Sequence, residues 1–231
     1  MIDFYEQLMP TLYWYWKKML IIISPSKTMK NQLGEYQGKH TTFPFFEKDS
    51  FRLVKRLQKM KLDELQKLMM TSDKLTKEIK LMYASFPKSL SKETAHPAIL
   101  SYKGDVYLGL QAESFSEDEI RFAQEHLIIL SGLFGVLKPM DLISNYRLEM
   151  GSSFVVKDST NLYSFWRQKI TTSLADSLKY HQNKVLLNLA SGEYFKSIDI
   201  KKFPFPIYHV EFKENKNGKL SGNSFTNKRM R

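Results

Sequence analysis

The sequence predicts an α/β protein, with mixed α+β as the variant: a single compact domain with a central, mostly parallel sheet and flanking helices. Three observations carry this. Short apolar runs, LIII at 20–23, LIIL at 127–130 and VLLNL at 185–189, each lead directly into small polar residues, as buried strands do at their ends. Stretches of helical spacing separate these runs, the alternation that lays strands side by side in a parallel sheet. A chain of 231 residues, 42% hydrophobic and 26% charged, has the size and composition of one domain with its own core.

The first stretch, MIDFYEQLMPTLYWYWKK at 1–18, differs from the rest in its aromatic density. It lacks the basic start of a secretory signal, and Lys17-Lys18 interrupt it well before the roughly 20 apolar residues that a membrane span needs. Met19 directly precedes a strand and is a candidate start, which makes 1–18 an extension outside the fold. The strand at 20–23 stops at Pro25, and Ser26-Lys27-Thr28 place an ammonium and hydroxyls at its carboxyl end without the glycines of a Walker loop. From 50 to 86 three apolar stripes at helical spacing predict helices, with Ser72 as an N-cap and with lysines and arginines between the stripes.

Residues 98–102 are expected to form a strand closed by Lys103-Gly104-Asp105, with VYLGL at 106–110 continuing it. Ser116 and Glu119 form a capping-box signature for a helix ending near His126. After the strand at 127–130, Ser131-Gly132 and Gly135 bracket Leu133-Phe134 in a tight turn, and Tyr146-Arg147-Leu148-Glu149 alternates so that Arg147 and Glu149 share one face. Residues 161–180 read as an amphipathic helix, and Asn217-Gly218 as the tip of a hairpin between 207–212 and 219–225.

The chain has no cysteine, which removes disulfides, thiolate zinc sites and cysteine nucleophiles and fits a reducing cytosol. Its histidines, at 40, 96, 126, 181 and 209, have no ligand spacing, so neither a metal nor a cofactor is expected. The formal charge of +11 is local: 52–80 carries nine Lys or Arg against four acids, 196–231 carries nine against three, and the remainder balances. Local positive fields favour polyanions.

In a parallel sheet the carboxyl ends of the strands lie along one edge, where ligands bind. The expected site therefore gathers Lys27, Lys103, Asp105, Arg147, Glu149, Glu193, Tyr194 and Lys196. The cations suit phosphate, Tyr107, Phe134, Tyr146 and Tyr194 are candidates for stacking on bases, and Lys103, Asp105 and Glu149 are the candidate catalytic groups.

IIISPSKTM at 21–29, SDKL at 72–75, KGDVYLGLQAESFSEDE at 103–119, LSGLFGVLKPMDLISNYRLEMG at 130–151 and NLASGEYFKSI at 188–198 resemble the motifs of the YaaA family of bacterial peroxide-stress proteins. The resemblance runs from Met19 to about Phe225, which leaves 226–231 as a tail, and family members continue some tens of residues further. It implies a cytoplasmic protein of the peroxide response that limits free intracellular iron and so damage to DNA and proteins. It also implies an α/β fold with a basic cleft and a helix-hairpin-helix element, binding duplex DNA without sequence preference, as a monomer and away from membranes. That element is expected at 130–136, with 61–83 as the competing location. The nucleic-acid-binding set is then Lys27, Lys74, Lys103, Gly132, Gly135, Lys138, Arg147 and Lys196. Two functions stay open: a DNA-binding protein, or an enzyme acting on a nucleobase or nucleotide in the same cleft, with Lys27 or Lys103 as nucleophile or phosphate clamp.

Overall fold

Strand β1 (Leu20–Ile23) sits at the centre of a five-stranded sheet because three of its four residues are buried and it has a parallel partner on each side. The computed structural model describes residues 19–30, 40–156 and 159–210 and the backbone of 214–216 and 219–221. The 1–18 extension, the Asn217-Gly218 tip and the 226–231 tail lie outside the described residues.

On one side β1 pairs with β5 (Leu127–Ser131) in the register Ile21↔Leu127, and on the other with β8 (Leu186–Asn188) in the register Leu20↔Leu186. Beyond β8 lies the parallel β9 (Ile207–His209), and β5 folds back into the antiparallel β6 (Gly135–Leu137). The order is β6-β5-β1-β8-β9, so the carboxyl ends of β1, β5, β8 and β9 share one edge, as the alternation of runs and helices predicts.

The expected helical region divides into α1 (Glu47–Lys59), α2 (Leu62–Met69) and α3 (Asp73–Ala84). Leu53, Val54 and Leu57 bury one face of α1, while acids occupy its first turn and Arg56 and Lys59 its last, the placement that the helix dipole favours. Ser72 caps α3 by accepting the Leu75 N–H, and Ser116 and Glu119 close the capping box of α6 (Glu117–His126). Asn161 caps α7 (Leu162–Leu178), whose Trp166, Ile170 and Leu178 are fully buried.

Residues 96–110 depart from the expectation. β3 (His96–Pro97) pairs with β7 (Leu142–Ile143), Ala98–Ser101 form a single turn of helix, α4, and β4 (Tyr102–Lys103) pairs with β2 (Thr28–Met29) outside the main sheet. Asp105–Leu110 is a helix, α5, rather than strand. Pro97 supplies a fixed φ ahead of α4, and Ser101 Oγ donates back to the Pro97 carbonyl at 2.9 Å, so the apolar AIL sits in a buried turn. The hairpin near the end uses β10 (Glu214–Lys216) and β11 (Lys219–Ser221), not 207–212, which contributes β9 to the main sheet instead.

The turn after β6 is held by a buried acid. Asp141, 3% exposed, accepts from Thr42 Oγ1 at 2.6 Å and from the Lys138 N–H at 2.8 Å, and burial pushes its carboxyl up to about 6. A raised folded-state pKa means that the folded chain holds this proton where the unfolded chain has released it. The Asp141 contribution therefore falls as pH rises from about 4 to about 6, by about 2 to 3 kcal/mol, and is level outside that window. Denaturant titrations of the parent against Asp141→Asn across that range test this; a difference constant with pH would contradict it.

Candidate functional site

The strand ends at the carboxyl edge are tied to one another before any charged group is added. Ser24, just after β1, accepts the Ser191 N–H at 2.8 Å and donates to Ser191 Oγ at 3.1 Å, which joins β1 to the start of α8 (Gly192–Phe195) after β8. Tyr107 of α5 donates to the Ser24 carbonyl at 2.9 Å. Glu193 of α8 accepts the Gly151 N–H at 2.9 Å, and its own carbonyl accepts from Tyr163 at 3.0 Å.

Across this frame runs the extended segment 144–150. Tyr146 and Leu148 point inward, and Arg147 and Glu149 share the outer face, as the alternation predicts. Glu149 Oε1 lies 3.3 Å from Arg147 Nη2 and 3.8 Å from Lys27 Nζ, so one carboxylate bridges two cations from distant parts of the chain. Arg147 and Glu149 are mostly covered, with side chains 20% and 14% exposed, whereas Lys27 is 65% exposed. Tyr83, at the end of α3, donates to the Arg147 carbonyl at 2.7 Å and accepts its N–H at 3.3 Å. The buried Arg147 Nε has no hydrogen-bond partner among the described residues.

Beneath the ion pairs lies a chain of hydroxyls. Ser131 Oγ accepts two backbone N–H groups, from Leu133 at 3.2 Å and Phe134 at 3.0 Å, and so has no lone pair left. Its own proton must go to Tyr146 at 2.7 Å, and the Tyr146 proton to Tyr102 at 2.7 Å. Burial pushes Tyr146 up to about 12 and raises Tyr83, Tyr102, Tyr107 and Tyr194 as well. These phenols stay protonated at any physiological pH and serve as donors and spacers, not as bases or nucleophiles.

The structure brings together Lys27, Arg147 and Glu149, and sets the exposed Lys103 beside Lys27 through the register Thr28↔Lys103. Asp105 is exposed at the start of α5, and Glu193 and Tyr194 stand at the rim on α8. Lys196 is exposed just past α8. Lys74 sits at the far end of α3 from Tyr83, about 14 Å along the helix. Lys138 follows the antiparallel β6 and so lies toward the opposite edge of the sheet.

Two expectations need correction. Residues 130–136 are a β-hairpin, β5 turning into β6, rather than a helix-hairpin-helix, and Gly132 and Gly135 are buried within it. Their requirement for glycine comes from packing: a Cβ on Gly132 would lie 2.2 Å from the Leu148 carbonyl oxygen, and Gly135 has φ +71° against the Trp166 ring. The competing stretch 61–83 does form two helices, α2 and α3, joined at Met70-Thr71-Ser72 with Met70 left-handed and 90% exposed. The proposed base-stacking aromatics Tyr107, Phe134, Tyr146 and Tyr194 are 8% exposed or less and belong to the core.

The reading of spacing alone missed a basic concavity. Arg52, Lys55, Arg56 and Lys59 of α1 line an open depression of about 500 Å³ together with Met60 and Glu64. Arg56 Nε donates to the Val155 carbonyl at 2.8 Å, which docks α1 onto the segment that carries Arg147 and Glu149 only a few residues earlier. Periodicity places five cations on this helix, these four among them, but nothing local tells which side of it meets that segment. Among the described residues no group of three or more His, Asp or Glu side chains gathers as a metal site, and no helix is long and apolar enough to cross a membrane.

Comparison with known proteins places this architecture. A family model described as peroxide stress protein YaaA matches residues 19–231. A UPF0246 protein of Francisella philomiragia is 40% identical over 201 residues, covering 87% of this chain and 78% of the relative. UPF0246 proteins of Crocosphaera subtropica and Polynucleobacter necessarius are 42% and 40% identical, covering 87% and 92% of this chain and 79% and 82% of the relatives. Several of the motifs quoted from the sequence build the carboxyl edge, and the match from 19 onward with these relatives shows that the chain belongs to the peroxide stress protein YaaA family.

Proposed function

We propose that this protein associates with duplex DNA, as a monomer in the cytoplasm and without sequence preference, and thereby helps limit iron-dependent damage during peroxide stress. The observation that carries the reading is the row of four cations on α1 around an open depression, joined through Arg56 to the segment bearing Arg147. Lys27, Lys103 and Lys196 extend the positive surface along the carboxyl edge. Such a surface neutralises phosphates and releases counterions whatever the base sequence. Family membership supplies the link to peroxide.

The test is DNA affinity against salt for the parent and for the combined variant Arg52→Ala, Lys55→Ala, Lys59→Ala, all on the outer side of α1. Loss of three phosphate contacts flattens the slope of log K against log salt by about 2.7, and the same variant loses its protection of plasmid DNA from nicking by ferrous iron and peroxide. An unchanged slope would remove the reading.

A second reading, an enzyme acting on a nucleobase or nucleotide, is favoured by one feature: Glu149 is held between two cations at the carboxyl edge of a parallel sheet, where substrates of such folds bind. Lys103 and Asp105 are its other candidate groups. Product formed from nucleotides by the parent but not by Glu149→Gln would establish it over the first.

A further inference from the structure

Among the described residues, the buried side-chain polar atoms without a hydrogen-bond partner are Arg147 Nε and Ser152 Oγ, on either side of Glu149 in one short segment. Buried polar groups are nearly always paired, and both of these can donate, so what the segment lacks is an acceptor. The Arg147 guanidinium carries five N–H donors, yet the protein gives it a single ion pair, to Glu149 Oε1 at 3.3 Å. Lys27 Nζ reaches the same oxygen only at 3.8 Å. A charge-assisted pair in full contact spans about 2.7 to 2.9 Å, so one carboxylate oxygen holds both cations loosely.

Their backbones, by contrast, are fixed. The Tyr83 hydroxyl bonds both the carbonyl and the N–H of Arg147. Next to Lys27, Ser26 Oγ accepts the Thr28 N–H at 3.2 Å, and Thr28 pairs with Lys103. Gly104, at φ +143°, lets the two turns close on each other, since an added Cβ would lie 3.1 Å from Ser26 Oγ. Of the neighbouring acids, Glu193 is engaged by the Gly151 N–H and Asp105 is exposed at the start of α5. Cations on rigid backbone with unfilled donors are preorganised for an anion, and a guanidinium fork suits the paired oxygens of a phosphate. The Arg147 side chain is recessed, only 20% exposed. An interior phosphate of a duplex carries a sugar on each side and does not fit such a recess, whereas a terminal phosphate has one attachment and three free oxygens.

We propose that Arg147 and Lys27 form a receptor for a phosphate monoester, carried by a DNA end or by a free nucleotide, with Glu149 holding the place of a ligand oxygen until it arrives. This contact is separate from the duplex contact of α1, so either can fail without the other. Calorimetry of the full chain compares thymidine 5′-monophosphate with thymidine at one salt concentration. The monophosphate binds and thymidine does not. Arg147→Gln and Lys27→Ala, the latter at an exposed side chain, each weaken that binding about tenfold, and Glu149→Gln tightens it several-fold. A second arm compares duplexes ending in 5′-phosphate or 5′-hydroxyl with a closed dumbbell that has no end. Preference for the phosphorylated end, lost in Lys27→Ala, assigns the phosphate to DNA. Equal binding of all three by a chain that binds the monophosphate assigns it to a free nucleotide. A parent that distinguishes neither the monophosphate from thymidine nor the phosphorylated end from the hydroxyl end would overturn the proposal, whether or not the dumbbell binds. So would a phosphate preference that survives both Lys27→Ala and Arg147→Gln.

Discussion

Gly132→Ala is expected to destabilise the protein by more than about 4 kcal/mol, enough to leave little folded chain. The methyl group would lie 2.2 Å from the Leu148 carbonyl oxygen and 3.1 Å from two further backbone carbons, none of which can swing aside as a side-chain tip does. Relief would require pushing the 144–150 segment off the hairpin. That movement would also cost the bond from Trp166 Nε1 to the Gly132 carbonyl at 2.9 Å and would displace Arg147 and Glu149. The control is Gly109→Ala: Gly109 is exposed within α5 with nothing within 4 Å of the added carbon, and the change should stabilise by about 0.5 to 1 kcal/mol. Urea titration of the two variants reads both effects. A Gly132→Ala protein as stable as the parent would mean that 144–150 does not press on the hairpin as described.

Ser131→Ala should cost about 3 kcal/mol, although it deletes a single oxygen atom. That oxygen accepts from two buried N–H groups, and each is left without a partner when it goes. Tyr102→Phe should cost only about 1 kcal/mol, because it leaves just the Tyr146 proton without an acceptor. The order of the two values tests the direction assigned to the hydroxyl chain. Equal effects in equilibrium unfolding would show that the serine carries no more than the tyrosines do.

Much of this molecule could be read from local residue chemistry. Ser116 and Ser72 each announce a helix start because a side-chain oxygen on the residue before the helix does the same work in any fold, and both cap where expected, while Asn161, read as the first residue of its helix, is the cap instead. The strands at 20–23, 127–130 and 185–189 were legible because each is apolar and ends in polar turn residues. Residues 98–110 were not, since a short apolar run fits a buried turn of helix as well as a strand, and only Asp141 and Pro139, whose carbonyls receive the Ala98 and Ile99 N–H groups, decide between them. At the site, Arg147 and Glu149 followed from alternation within four residues. Tyr83 and Tyr102 did not, because they arrive from 64 and 44 residues away and no spacing reveals such a partner. The glycines at 132 and 135 were legible as punctuating a tight turn, but their pattern alone does not separate an approach to phosphate from an approach to the chain's own backbone.

The position of β1 at the middle of the sheet sets the timetable of synthesis. The ribosome makes this strand before the other four of the main sheet, and its partner Leu186 follows Leu20 by 166 positions. At about 5 to 20 residues per second, one flank of the most apolar strand stays open for roughly 8 to 33 s after it is made. The nascent chain thus carries an LIII segment with one open edge until residues 186–188 have emerged, and the sheet closes only when β8 and then β9 arrive.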